Sequence, residues 1–191
     1  MTPSELDKVD NVQMTHPFWN FSLEVYSKKA VSDACIALQE KCGVDVNILL
    51  FCCWTASVGH PVLAKHEVAL LCRTAADWNN DIVQKLRNIR KSFIFKDYEC
   101  NEAAVRNLQK QVLEVEIKAE QIEQFTLMRT VAVLEDNSVP EMQRINNALE
   151  NIRLYFSMPE LSATCCTSEL LNILGGVFPK VSKTDIKLAL K

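Results

Sequence analysis

The run Gly43-Val-Asp-Val-Asn-Ile-Leu-Leu-Phe-Cys-Cys-Trp54 limits what this chain can fold into more than any other part of it. From Val46 to Ala56 only Asn47 and Thr55 interrupt the apolar residues, so a helix here has no face to offer water and needs other helices around it. Asp45, just after the glycine that ends the preceding segment, is a natural N-cap. The run is too short to cross a bilayer. It therefore marks the centre of a helical bundle, and it carries no chemistry of its own.

The rest of the chain reads as a succession of helices. Glycine occurs four times, and the alternation of β-branched and polar residues that marks strands is absent outside short apolar runs. A first helix spans Phe18 to Ser27, with Phe18, Trp19, Phe21, Leu23 and Tyr26 as its apolar residues. A second runs from Val31 to Cys42, with Ala34, Cys35, Leu38 and Cys42 on one stripe and Gly43 as its stop. The apolar helix follows and ends near Gly59, after which Pro61 stands in the first turn of a new start. Thr74-Ala-Ala-Asp77 has the form of a capping box. Beyond it Trp78, Ile82, Leu86, Ile89 and Phe93 recur at helical spacing and predict one buried stripe. After a connector at 96–100, Asn101 caps a longer helix whose Val105, Leu108, Val112, Val115, Ala119 and Ile122 form a heptad-like seam. These two segments predict an antiparallel hairpin.

Ser138-x-x-Glu141 with Pro140 opens another helix, carrying Met142, Ile145, Leu149, Ile152 and Phe156. A Leu-rich helix ending at Gly175-Gly176 and a terminal turn opened by Ser182-x-x-Asp185 complete the pattern. The expectation is an all-α helical bundle with a buried central helix and a long antiparallel helical hairpin. It divides into a disordered segment 1–16, a helical core 17–136 and a C-terminal helical extension 137–191.

A chain of 191 residues that is 48% hydrophobic can bury an ordinary core without disulfides or structural metal. Its net charge of -3 gives no sign of the basic surface that nucleic-acid binding uses. The first residues are polar and acidic where a secretory signal needs a basic start and an apolar run, so the expected compartment is the cytoplasm and no membrane partner is expected. Eight cysteines, at 35, 42, 52, 53, 72, 100, 165 and 166, include no C-x-x-C. Neighbouring helical cysteines point about 100° apart, which suits core filling better than joint ligation of one ion. They are expected to be free thiols and mostly inert.

The blocks Phe18-Trp-x-Phe-Ser-Leu, Tyr26, Ala34-Cys35, Ala37-Leu-Gln39, Gly43-x-Asp-Val-Asn-x-Leu-Leu-Phe-Cys-x-Trp54, Trp78-x3-Ile-Val-x-x-Leu-Arg87-x-x-Arg90 and Glu116-x-x-Ala-Glu120 carry a resemblance. In order and content they resemble a family of small uncharacterised proteobacterial proteins known as a domain of unknown function, over about residues 18–134. The resemblance implies an all-helical cytosolic protein with no assigned activity. One departure is Lys85, where the family usually has proline before the Leu-Arg pair. The region after about Ser138 looks like an addition to the family core.

Within those blocks the polar residues to weigh as a site are Arg87, Arg90, Glu116 and Glu120, each pair one turn apart. The plainer reading is that they line solvated flanks or exchange ion pairs between helices. If the hairpin folds about residue 97 or 98, Asp77 and Asp81 come level with Glu114 to Glu120, and Arg90 with Arg106. Asp77, Asp81, Glu116 and Glu120 would then gather four carboxylates between two helices, as helical bundles do to hold divalent cations. No Glu-x-x-His pair supports a di-iron site, and neither His16, His60 nor His66 has a ligand-like setting. His16 and His60 precede prolines in loops or caps. The basic run Lys85, Arg87, Arg90, Lys91 and Lys96 reads as a solvated face.

No phosphate loop, dinucleotide fingerprint, nucleophile elbow or H-E-x-x-H is present, and no catalytic residue or cofactor is assigned. The function expected is a noncatalytic protein-interaction or accessory module with a protein partner. The alternative is a helical metal-dependent enzyme or small-ligand binder using the carboxylate cluster.

Overall fold

A computed structural model describes residues 15–95, 101–159, 161 and 166–190. The expectations for residues 1–14, the connector 96–100, Cys100 and Cys165 lie outside the described residues. The helices are α1 (Pro17–Tyr26), α2 (Lys29–Cys42), α3 (Val46–Ser57), α4 (Lys65–Trp78), α5 (Gln84–Phe95), α6 (Glu102–Thr130), α7 (Glu141–Phe156), α8 (Thr167–Val177) and α9 (Lys183–Ala189). No strand occurs among the described residues, so the protein is an all-α helical bundle.

The apolar run is the centre of that bundle. Residues 47 to 56 of α3 are all buried, and Asp45 caps the helix by accepting the Asn47 N–H at 2.8 Å. The stripe Ala34, Cys35, Leu38 and Cys42 of α2 is buried, and Gly43 ends that helix with φ +67°. His16 caps α1 by accepting the Trp19 N–H through Nδ1, and Phe18 packs between Phe51 and Trp54 of α3. Burial lowers the His16 pKa and keeps the ring neutral in this role.

Helix α7 runs antiparallel to α3 and adds Ile145, Ala148, Leu149 and Ile152 to the same hydrophobic cluster. Polar groups set this pairing at three levels. At one end the Tyr155 hydroxyl accepts the Asp45 N–H at 2.8 Å. In the middle the fully buried Asn151 donates to Cys52 O and Thr55 Oγ1 and accepts the Leu63 N–H at 2.8 Å. At the other end Arg144 donates to Ser57 O at 2.6 Å, satisfying a carbonyl that the end of α3 leaves open. Gly59 makes that end possible. Its φ is +85°, and a Cβ there would fall 2.0 Å from Asp136 O.

Two apolar seams expected from the sequence are not the ones the structure buries. Helix α4 starts at Lys65, well before Thr74, with Glu67 accepting the Ala64 N–H; Pro61 lies in the preceding loop. It continues into α5 through one π turn, Asn79–Val83. A π turn widens the helix to more than four residues per turn. Residues 75, 79, 83 and 87 therefore stay on one face, and Ala75, Asn79, Val83 and Arg87 are buried. Ile82 and Ile89 are thereby turned outward, at 37% and 48% exposure, while Trp78, Leu86 and Phe93 are half-buried. On α6 the inner face is Glu116, Ala119, Glu123, Gln124 and Leu127, so Leu108 and Val115 of the expected seam are exposed. Both errors have one cause. The facing surfaces of this hairpin are polar, and a search for apolar stripes selects the outer faces.

Asn151 yields a test of this architecture. Replacing it with alanine leaves the buried Leu63 N–H without an acceptor and takes from Cys52 O one of its donors, the Thr55 hydroxyl remaining. The expected loss is about 2–4 kcal/mol in equilibrium unfolding. Leu49→Ala, at a fully buried site of α3, is expected to cost about 2–5 kcal/mol.

Candidate functional site

Arg87 and Arg90 of α5 meet Glu116 and Glu120 of α6 across the hairpin. Arg87 Nε donates to Glu116 Oε1 at 3.3 Å and its Nη2 to Glu120 Oε1 at 2.6 Å. Arg90 donates to both Glu116 oxygens, with Nη2 3.0 Å from Oε1. Glu116 is thus held by two guanidinium groups while its side chain is only 4% exposed. Hydrogen bonds to Glu116 raise the Arg90 pKa, whereas burial raises that of Glu120 against the opposing pull of Arg87. Bidentate guanidinium–carboxylate pairing suits such a setting, because each buried charge meets its partner in a fixed plane.

The same face of α6 continues into a second polar layer. Glu123 accepts from Asn79 Nδ2 at 3.2 Å and hydrogen-bonds the Asp45 carboxyl at the head of α3. Burial and the adjacent Asp45 push the Glu123 pKa up to about 9. Burial raises the Asp45 pKa as well, against the lowering effect of its hydrogen bonds with Glu123 and with the Asn47 and Ile48 N–H groups at the N-terminus of α3. Gln124 donates to Asn47 Oδ1 at 2.8 Å. These contacts tie the central helix to the hairpin. They account for Asn47, the polar interruption in the apolar run.

Above the two layers opens a cleft of about 510 Å³ between α1, α2, α5 and α6. Its inner surface includes Arg87, Arg90, Glu116, Glu120, Gln124 and Ser22. Its walls are mainly apolar, from Trp19, Leu23, Tyr26, Ile36, Leu50, Leu113 and Ile117. A rim ion pair, Lys91–Glu40 at 3.0 Å, joins α5 to α2. Two polar atoms of the lining, Ser22 Oγ and Gln124 Oε1, are buried with no hydrogen-bond partner among the described residues. Burial raises the Tyr26 pKa to about 12, so its hydroxyl stays protonated at neutral pH.

The structure brings together Arg87, Arg90, Glu116 and Glu120, the four residues singled out in the sequence. It does not bring Asp77 and Asp81 to them. Both aspartates are exposed, and Asp81 pairs with Lys85 of its own helix at 2.9 Å. The pairs Arg90–Glu116 and Arg87–Glu120 centre the hairpin near residue 103, about five residues beyond the expected fold point. Opposite charges choose the register, and the expected level of Arg90 with Arg106 is lost with it. Among the described residues no three His, Cys, Asp or Glu side chains are arranged to hold a metal ion. His60 is buried, with Nδ1 accepting the Leu134 N–H, and His66 is exposed.

Sequence reasoning missed Asp45, Asn79, Glu123 and Gln124 as parts of this site. A signal was present. Residues 116, 120, 123, 124 and 127 follow one helical face, so Glu123 and Gln124 extend the Glu116–Glu120 stripe.

Residues 17–127, more than half of the chain, match the family described as Protein of unknown function (DUF2390), and the chain belongs to that family. No curated protein and no solved structure matches it. Among the described residues no helix is long and apolar enough to cross a membrane.

Two outcomes follow from the buried charges. Glu116→Ala strands Arg90 and leaves Arg87 with Glu120 alone, and is expected to cost about 3–5 kcal/mol in denaturant melts, with Asp81→Ala near neutral. Glu123 has a folded-state pKa above its unfolded value. The stability it contributes is complete below about pH 4.5 and is lost as pH rises toward about 9. Melts of Glu123→Gln and wild type between pH 5 and 9 should converge at the acid end, with the wild type falling further at the alkaline end.

Proposed function

We propose that this chain is a noncatalytic recognition module of the cytoplasm whose cleft takes a segment of a protein partner. The observation that carries the reading is how the cleft distributes its unmet needs. At the rim Leu23, Tyr26, Ile36, Leu113 and Ile117 are 39–52% exposed, an apolar set gathered round one opening that a partner would remove from water. Deeper in, both arginines are committed to carboxylates, while Gln124 Oε1 and Ser22 Oγ are buried and unbonded. Leaving such an atom unpaired costs about 1–3 kcal/mol, which an occupant bringing a donor recovers. The occupant that fits is a helix or loop inserting an apolar side chain beside an amide or hydroxyl donor. Mutual neutralisation of the arginines and glutamates favours a positioning role for them over proton transfer. Buried thiols at Cys35, Cys52 and Cys53 suit a reducing compartment.

A second reading rests on the cleft volume. About 510 Å³ lies within the range of small-molecule sites, so a small amphipathic ligand would use the same walls and the same acceptors.

The test uses tagged full-length wild type, Leu23→Asp and Asp81→Ala in affinity capture from the source cell, with melts to show that all three are folded. Proteins held by wild type and Asp81→Ala and released by Leu23→Asp support the protein-partner reading. A small molecule retained by wild type in native mass spectrometry and absent from Leu23→Asp supports the second. Recovery that is the same for all three contradicts both.

A further inference from the structure

The sequence gives no reason to connect Cys42 with Cys166, which lie 124 residues apart, yet their sulfurs are 3.5 Å from each other. Cys42 is the last residue of α2 and is buried; Cys166 is the residue from which α8 starts and is half-buried. Helices α2 and α8 run antiparallel and are clamped at both ends. At one end Lys28 Nζ donates to Gly176 O at 2.7 Å, and Gly176 lies so close to α2 that a Cβ there would fall 2.3 Å from Val31 Cγ2. At the other Lys41 pairs with Glu169 at 3.5 Å, one turn from the two thiols. The sulfurs lie in contact at the second of these ends.

We propose that Cys42 and Cys166 form a redox-active dithiol that reacts with low-molecular-weight disulfides and, once closed, covalently staples α8 to α2. A disulfide bond needs the sulfurs at about 2.05 Å, so closure requires a further approach of about 1.5 Å. Rotation of two side chains at helix ends supplies it. Cys166 is the attacking group, since it is the more accessible and stands at a helix N-terminus, where the dipole favours a thiolate. Its proton passes to solvent, and its sulfur attacks one sulfur of oxidised glutathione. The glutathione S–S bond breaks, one glutathione thiolate leaves and takes up a proton, and a mixed disulfide remains on Cys166. Cys42 then loses its proton to solvent and attacks the Cys166 sulfur, expelling the second glutathione. The two protein thiols lose two electrons, and one glutathione disulfide becomes two thiols. Cys52 and Cys53 are fully buried in α3 and do not compete. The staple would tie a helix beyond the matched family region to one within it.

The experiment treats the folded full-length chain with oxidised glutathione, quenches with N-ethylmaleimide and maps the linked peptides by mass spectrometry. The expected product is a Cys42–Cys166 cross-link with no glutathione retained and a Tm raised by about 5–10 °C, reversed by dithiothreitol. Cys42→Ser should stop at a Cys166–glutathione adduct, and Cys165→Ser should behave as wild type. A cross-link through Cys165 or Cys100, or a folded wild type that ends with both Cys42 and Cys166 alkylated, overturns the proposal. The wild-type map decides the matter even if a serine variant fails to fold.

Discussion

Glu116 occupies the least forgiving position in this structure. Its carboxylate is almost wholly withdrawn from water, and its charge is tolerable only because Arg87 and Arg90 reach it from the opposite helix. That requirement sets how α5 and α6 align, since a shift of one turn would leave a buried charge without a partner. The π turn at Asn79–Val83 serves the same end. It keeps Arg87 in line with Asn79 and Val83, so that one face of a long helix delivers a guanidinium group and an amide to successive acidic residues of α6. With the hairpin so fixed, α1 and α2 can close against it and leave the cleft between them.

The central helix depends on this arrangement at one end and on the C-terminal helices at the other. Its sides are buried, so its termini carry its polar obligations. Asp45 at its head meets Glu123 of the hairpin and, through its backbone N–H, Tyr155 of α7. Ser57 O and Val58 O at its tail accept from Arg144 and from the Asp136 N–H. Residues beyond the matched family region thus complete the core that begins within it. The cleft lies on the side of α3 that the family region builds alone.

The parts of the fold that rest on apolar burial were readable from residues. The all-round apolar character of Val46–Ala56 marked the centre, the stripe of α2 ended at Gly43 as its spacing implied, and Asp45 capped α3. The hairpin was also predictable as a hairpin. Its inner faces were not, because hydrophobic periodicity assumes that what is buried is apolar, and here Arg87, Glu116, Glu123 and Asn79 are buried. Val115 and Ile89 satisfied the pattern and face outward. The four charged residues were recognisable as an unusual pair of pairs. Their pairing, the hydrogen bond of Glu123 with Asp45 and the contact of Cys42 with Cys166 depend on register and on distant helices, which local spacing does not encode.

The claim that the buried ion network sets the hairpin is tested most directly by a double-mutant cycle on Arg90 and Glu116, using Arg90→Met, Glu116→Met and the double variant in equilibrium unfolding. Glu116→Met strands Arg90, and Arg90→Met leaves Glu116 with one of its two guanidinium partners, whereas the double change removes both charges and leaves the Arg87–Glu120 pair intact. The account predicts a coupling energy of about 2–3 kcal/mol, with the double variant recovering much of what each single one loses. Additive effects, with coupling below about 0.5 kcal/mol, would show that the two charges do not depend on each other and would contradict it.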